Sequence, residues 1–416
     1  MENCNEKKIR LRFNDFKVPY LIDETLREGV ERYPFPISNE DKCLLLKKMS
    51  QVGIREFVVG CGPESPDVWE GLFSMKEKKE IPKDVEATFI VLLNCWETAF
   101  EHFSSQKYLR KNIEETVFSF GMITYKESQN TFENAIKSFR SLGAKKFKAS
   151  ILNNFRGEYN DKKYKEICRQ IDIAINLGVS VIRINDSVGL LQPHITHQFC
   201  SQLISDYPEI IFCLHAHNDT GLAVANAIAS IQAGFQMLEG SLSGFGNRSG
   251  IAPIEQVVNI CKNNNISVGS SNINIKELST IARYSEKVFL QTPNVFKPVR
   301  GVLETDSNFG VLNIPDFLEI KKKKNYFVNY PGLHSVTIEM AIKEHYPEID
   351  LSESDFKKII SSLQATMQSE LKEIKDDYAE IYTSLIDFYT KHSWTSKRLA
   401  DEVVSLASKN NIKEVV

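Results

Sequence analysis

The sequence predicts a TIM (β/α)8 barrel followed by a mainly helical C-terminal region. Three observations carry this reading. Eight short β-rich apolar runs recur between residues 19 and 246, with helically spaced segments between them, as repeated βα units require. No Gly-x-Gly-x-x-Gly turn follows the first run, and an open doubly wound sheet usually has fewer strands. Polar and ionisable residues also gather where several runs end, which is where barrel active sites lie.

The candidate strands are 19–23, 55–61, 87–93, 117–122, 146–151, 179–186, 210–217 and 236–244. The first ends in Asp23-Glu24-Thr25-Leu26-Arg27-Glu28-Gly29, the fifth carries Lys148 and Ser150, and the sixth ends in Asn185-Asp186-Ser187. The seventh is an apolar run that stops at His215-Ala216-His217, and a period of two puts both histidines on one face. Imidazole pairs suit zinc, manganese, iron or cobalt, but two hydrogen-bonded core histidines read equally well from this pair alone. Between the strands, Ala135, Ile136, Phe139 and Leu142 form one helical stripe that Gly143 ends.

Past residue 262 the character changes, with Asn263-Asn264-Asn265 as a break, so the expected division is a barrel over 1–265 and a helical region over 266–416. Residues 274–295 and 353–414 have helical spacing, and Leu363, Met367, Leu371 and Ile374 give the latter an apolar stripe. Such a region suits a cover over the barrel rim or a homodimer contact.

Composition excludes several function classes. With 51 basic and 54 acidic residues the net charge is -3, which gives no global field favouring nucleic acid or an anionic membrane. The eight cysteines include no Cys-x-x-Cys pair, the first residues lack a signal-peptide apolar core, and no apolar stretch approaches the roughly 20 residues of a membrane span. These features predict a cytoplasmic protein.

The segment Asp23 to Gly29, together with His215-Ala216-His217-Asn218-Asp219-Thr220-Gly221 and Gly244-Phe245-Gly246-Asn247-Arg248-Ser249-Gly250-Ile251, resembles the family of isopropylmalate synthase, homocitrate synthase and hydroxymethylglutaryl-CoA lyase. The resemblance covers residues 19–262 and implies the same TIM barrel. Its Gly250-Ile251 pair is most similar to lysine-pathway homocitrate synthases. Many other members have Gly-Asn there, with that Asn as a further metal ligand, a role closed to Ile251.

By this resemblance Glu28, His215 and His217 are ligands of a divalent ion (Mg, Mn, Zn or Co) that chelates a 2-oxo acid, and Arg27 stabilises the developing oxyanion or enolate. Asp23 and Asp186 are expected behind the ligands, orienting Arg27, a metal water or an imidazole, with strand capping as the alternative. Ser187 matches a family hydroxyl that binds substrate carboxylate. Asn218 braces the histidines or caps the helix that follows, and Asp219 is favoured as that cap. Asn226 matches a family position without an assigned role. Acyl-CoA, in the form of acetyl-CoA, is the co-substrate that the resemblance implies.

Three departures shape the expectation. Lys148 stands where the synthases have a carboxylate-bearing segment, and it could bind a substrate carboxylate or simply snorkel from the rim. Glu31 replaces a usual Gln. No His-x-Ala-Gly-Ile-His segment is present, the nearest counterpart being 306–312; Gly332-Leu333-His334-Ser335 instead resembles Gly-Lys-His-Ser and makes His334 a candidate general base, with Tyr330 nearby and a structural histidine as the alternative. The expected reaction is a Claisen-type condensation of an acyl-CoA with a 2-oxo acid, giving a 2-hydroxy-2-alkyl dicarboxylic acid and CoA. A carbon–carbon lyase or aldolase, and a metal-binding barrel without turnover, are the alternatives. The length leaves little room for the appended regulatory domain of longer synthases.

Overall fold

The structure, a computed structural model, describes residues 18–32, 35–105, 107–121, 126–153, 155–156, 160–301, 307–309, 325–327, 333 and 335–409. Eight parallel strands close in sequence order into one barrel: β1 Tyr20–Asp23, β2 Glu56–Cys61, β3 Glu86–Leu92, β4 Val117–Gly121, β5 Lys146–Asn153, β6 Val181–Asp186, β7 Ile211–Ala216 and β8 Met237–Gly240. All eight lie within the runs read from sequence or extend them by a residue or two. The eighth is shorter than expected: the chain turns at Leu242–Gly244, and Ser241 is paired instead with the returning segment, its N–H donating to the Ala252 carbonyl at 3.1 Å.

Alternation along the strands builds two cores. Phe57, Phe89, Phe118, Phe120, Ile182, Phe212 and Leu214 face outward against the surrounding helices, while Ile22, Val58, Ile90, Cys213 and Met237 fill the barrel interior. Cys213 therefore faces inward, and His215, two residues on, does too. Among the helices, Lys126–Ser141 buries Ala135, Ile136 and Phe139 as its stripe requires. Its Phe139 ring lies 4.7 Å from that of Phe118, an aromatic contact that ties helix to strand.

The compact barrel unit runs on to Pro293. Helix Ile275–Val288, which the sequence division places after the barrel, is capped by the Asn274 side chain and buries Leu278, Ile281 and Ala282 in the barrel's outer core. The break at residues 263–265 is thus a turn between two helices of one unit.

The second unit, 34–36 and 294–416, contains helices Ser335–His345, Glu353–His392 and Ser396–Lys409 and a short parallel pair, Ser307–Phe309 with Asn325–Phe327. Ser352 and Asp355 form a reciprocal capping box at the start of the long helix. Leu333, Ile338 and Phe356 make a small core against which Met367 packs, whereas Leu371 and Ile374 of the predicted stripe are exposed. Among the described residues no helix is long and apolar enough to cross a membrane.

Candidate active site

The loop after β1 delivers the first site residues. Asp23 ends the strand, and its carboxylate accepts from the Thr25 N–H at 3.0 Å and the Thr25 hydroxyl at 2.7 Å. The same Thr25 oxygen accepts the Leu242 N–H at 2.7 Å, so Asp23 shapes the single helical turn Thr25–Glu28 and touches neither Arg27 nor an imidazole. Burial pushes Asp23 up to about 7, although both Thr25 hydrogen bonds oppose the rise. The turn aims Arg27 and Glu28 at the barrel mouth.

There Glu28 meets the end of β7. Its Oε2 lies 3.9 Å from His215 Nε2 and its Oε1 3.9 Å from His217 Nε2, while the two Nε2 atoms are 3.2 Å apart. All three residues are buried. Burial opposes ionisation of Glu28, but Arg27 and the two histidines outweigh it and hold the carboxyl at about 2. Burial, reinforced by His215, pushes His217 down to about 3, so its imidazole is neutral at physiological pH.

A divalent ion fits this set. One anionic carboxylate and two imidazole nitrogens come within the mutual distances that bonds of about 2.0–2.2 Å would span, and Glu28 and His217 already have the protonation states ligation needs. Arg27 sits beside them, ion-paired to Glu28, to Glu24 at 3.5 Å and to Glu31 at 3.2 Å. Burial would weaken its charge, yet these carboxylates hold its pKa above the ordinary value. Its Nε has no hydrogen-bond partner among the described residues, which leaves one donor of the fork for a ligand.

Behind His215 lies a charged layer that the sequence reading did not assign. Glu239 of β8 hydrogen-bonds His215 Nδ1, and Arg183 of β6 lies 2.8 Å from Glu239 and 3.3 Å from Glu24. Burial alone would neutralise Glu239, but Arg183, His215 and Lys148 keep it ionised. Lys148 itself is a correction: it does not snorkel at the rim, because it occupies an inward mid-strand position and its Nζ points to Glu239 at 3.5 Å and Met237 Sδ at 3.7 Å. A charged residue in an apolar barrel strand, as at Arg183 and Glu239, was the available signal.

The remaining predicted residues shape loops. Asp186 accepts from the N–H groups of Leu190 at 3.0 Å and Leu191 at 2.9 Å, so it takes the capping role and contacts no histidine side chain. Burial raises its pKa, with those N–H groups opposing. Asn218, not Asp219, accepts from Ala223 N–H at the start of helix Ala223–Gln232, at 3.2 Å; Asp219 is engaged instead by Arg248 through two bonds of 2.9 and 2.8 Å. Asn226 ties Thr196 to the Leu191 carbonyl. Ser187 Oγ is buried without a partner among the described residues.

Residues 244–251 close over Glu28. Asn247 N–H donates to Glu28 Oε1 at 3.1 Å, and a Cβ on Gly246 would stand 2.8 Å from the Glu28 Cγ, so this backbone approach needs glycine. Ile251 contributes its backbone, bridged to His217, while its side chain is buried. His334 and Tyr330 lie outside the described residues.

Comparison with known proteins agrees with the barrel fold. Residues 18–284 match the HMGL-like family. The chain is 25% identical over 368 residues to a homocitrate synthase of Sulfolobus acidocaldarius, covering 83% of this chain and 74% of that protein. It is 23% identical over 356 residues to a 2-isopropylmalate synthase of Blochmanniella pennsylvanica, covering 81% and 67%. In fold it is similar to an HMG-CoA lyase of Acinetobacter baumannii solved with coenzyme A and 3-methylmalate, with a TM-score of 0.52, 17% identity, and coverage of 66% of this chain and 92% of that one. With the match spanning the whole barrel and both sides of the Glu28–His215–His217 cluster, the chain belongs to the HMGL-like family.

Proposed function

We propose that this protein is a divalent-metal-dependent enzyme that condenses an acyl-CoA, acetyl-CoA above all, with a 2-oxo acid. The observation that carries the reading is the buried Glu28–His215–His217 cluster with Arg27 beside it, at the strand ends where barrel enzymes act. Relatives named as synthases of this reaction type, and a fold neighbour solved with coenzyme A, support the choice. A divalent ion held by the cluster supplies Lewis-acid polarisation of the 2-oxo acid's keto group.

The chain's own residues do the rest. The uncommitted Nε of Arg27 donates toward negative charge on the substrate, and the unpartnered Ser187 hydroxyl suits a substrate carboxylate. In this reading His334, assigned by its resemblance to the synthase Gly-Lys-His-Ser segment, takes a proton from the acyl methyl group. The enolate carbon then attacks the keto carbon, the resulting alkoxide is protonated to a tertiary alcohol, and water cleaves the thioester to a carboxylate and CoA.

The test is thiol release from acetyl-CoA and propionyl-CoA across a panel of 2-oxo acids, with and without divalent metal. Release that needs metal and disappears in a folded His217→Ala variant is the expected result. No release with any pair, combined with cleavage of a hydroxyacyl-CoA or hydroxy acid, would replace the synthase reading with a lyase.

A further inference from the structure

The buried layer behind His215 is more ordered than neutralisation of charge requires. Glu239 uses both oxygens twice: Oε1 faces His215 Nδ1 and Arg183 Nη2, and Oε2 faces Cys213 Sγ at 3.0 Å and Lys148 Nζ at 3.5 Å. These partners come from β5, β6 and β7, and Glu239 itself from β8, so four strands fix one carboxylate. A carboxylate held at four points cannot rotate away from the imidazole. Nδ1 faces two groups, the Glu239 carboxylate that accepts and the Arg183 guanidinium that can only donate, and with its proton directed to Glu239 the Nε2 lone pair is left facing Glu28 and His217.

A second group of donors sits on the other side of the same ring. Glu24, His215 and Glu239 also bring ligand atoms close enough to hold a metal ion. The centre of that group is taken by the chain itself, since Arg183 Nη2 lies 2.5 Å from His215 Nδ1, 2.8 Å from Glu239 Oε1 and 3.3 Å from Glu24 Oε1. Its guanidinium is a permanent cation where a second ion would otherwise be drawn.

We propose that Glu239, clamped by Arg183, is a positioning residue that fixes the tautomer and ring orientation of His215, and that Arg183 fills the neighbouring donor group so that each chain takes a single divalent ion. The inference rests on reading Glu28, His215 and His217 as ligands, and it assigns new roles to two residues outside that set.

Titration of the metal-free full-length protein with Mn²⁺, followed by the EPR signal of the unbound ion, tests it without turnover. Wild type should bind one ion per chain, and Glu239→Gln should bind it roughly 10–100-fold more weakly. Arg183→Met should weaken binding at the first site and admit a second ion among Glu24, His215 and Glu239, and Arg183→Lys, which keeps the cation, should take one ion; a single ion in folded Arg183→Met would overturn the assignment of Arg183. The visible absorption of bound Co²⁺ should shift in Glu239→Gln, a change that a role confined to stability would not produce. Glu239→Gln affinity within about threefold of wild type, with an unchanged Co²⁺ spectrum, would overturn the positioning role. Two ions in wild type would overturn the assignment of Arg183. No ion in wild type would instead remove the ligand reading on which both stand. Should Glu239→Gln not fold, the Arg183→Met and Arg183→Lys pair decides the question alone.

Discussion

Inside the barrel Ile22, Val58, Ile90, Cys213 and Met237 form an apolar cluster, whereas the same alternation also turns Lys148, Arg183, His215 and Glu239 inward as a charged one. The backbone is the same under both; the material differs. Apolar side chains gain by leaving water, and each methylene there adds roughly 0.8 kcal/mol. Buried charges lose hydration and persist only where every one is paired, so the charged cluster is poor material for stability and suitable material for chemistry. A cavity of about 270 Å³ at the N-terminal mouth of the barrel brings the two kinds of material together, since Glu56, Glu86, Lys146 and Lys148 line it beside Ile22, Val181, Ile211 and Met237.

Substitutions among the charged and the apolar residues should therefore fail in different ways. The largest effect is expected for His217→Ala, which removes a ligand: metal-dependent CoA release should fall by at least about 10³-fold while unfolding of the metal-free protein changes by under about 1 kcal/mol. Urea melts beside the thiol assay check both halves. Next, Arg27→Gln should lower kcat/KM by about 10²–10³-fold with metal still bound, because it removes a donor aimed at developing charge; loss of metal instead would make Arg27 a support for Glu28.

Ile90→Ala, in the apolar cluster, should cost about 2–4 kcal/mol of stability through an unfilled cavity and leave Mn²⁺ affinity as it was. A parallel loss of affinity would break the distinction between the two clusters. The smallest effect concerns Glu56, pushed up to about 7 by burial and by Glu86. A carboxyl whose folded pKa lies above its ordinary value opposes folding only when ionised, so the penalty is absent below its ordinary 4.5 and complete once the pH has risen through 7. Glu56→Gln should accordingly stabilise the protein by roughly 1–3 kcal/mol near pH 8 and by little near pH 4, measured by urea unfolding at both.

Much of this division was legible in the sequence. Eight apolar runs located eight strands because a barrel strand buried on both faces has to be apolar nearly throughout. The convergence of Glu28, His215 and His217 followed from strand ends and motif resemblance, and the structure brings the three together. What sequence could not give was pairing across the interior. Lys148 and Glu239 are 91 residues apart, and nothing local to either shows that one neutralises the other. The exchange of roles between Asn218 and Asp219 has the same origin, since either side chain could cap the helix and Arg248, 29 residues on, captures Asp219. Asp23 and Asp186 bond to nearby backbone, a competition that residue type announces without deciding.

The central claim is that one divalent ion binds at the C-terminal end of the barrel between Glu28, His215 and His217. Anomalous diffraction at the manganese edge, from crystals of the full chain grown with Mn²⁺, tests it most directly. A single peak is expected within bonding distance of a Glu28 carboxylate oxygen and both Nε2 atoms, absent in His217→Ala. No peak there, or a peak among Glu24, His215 and Glu239 in its place, would contradict it.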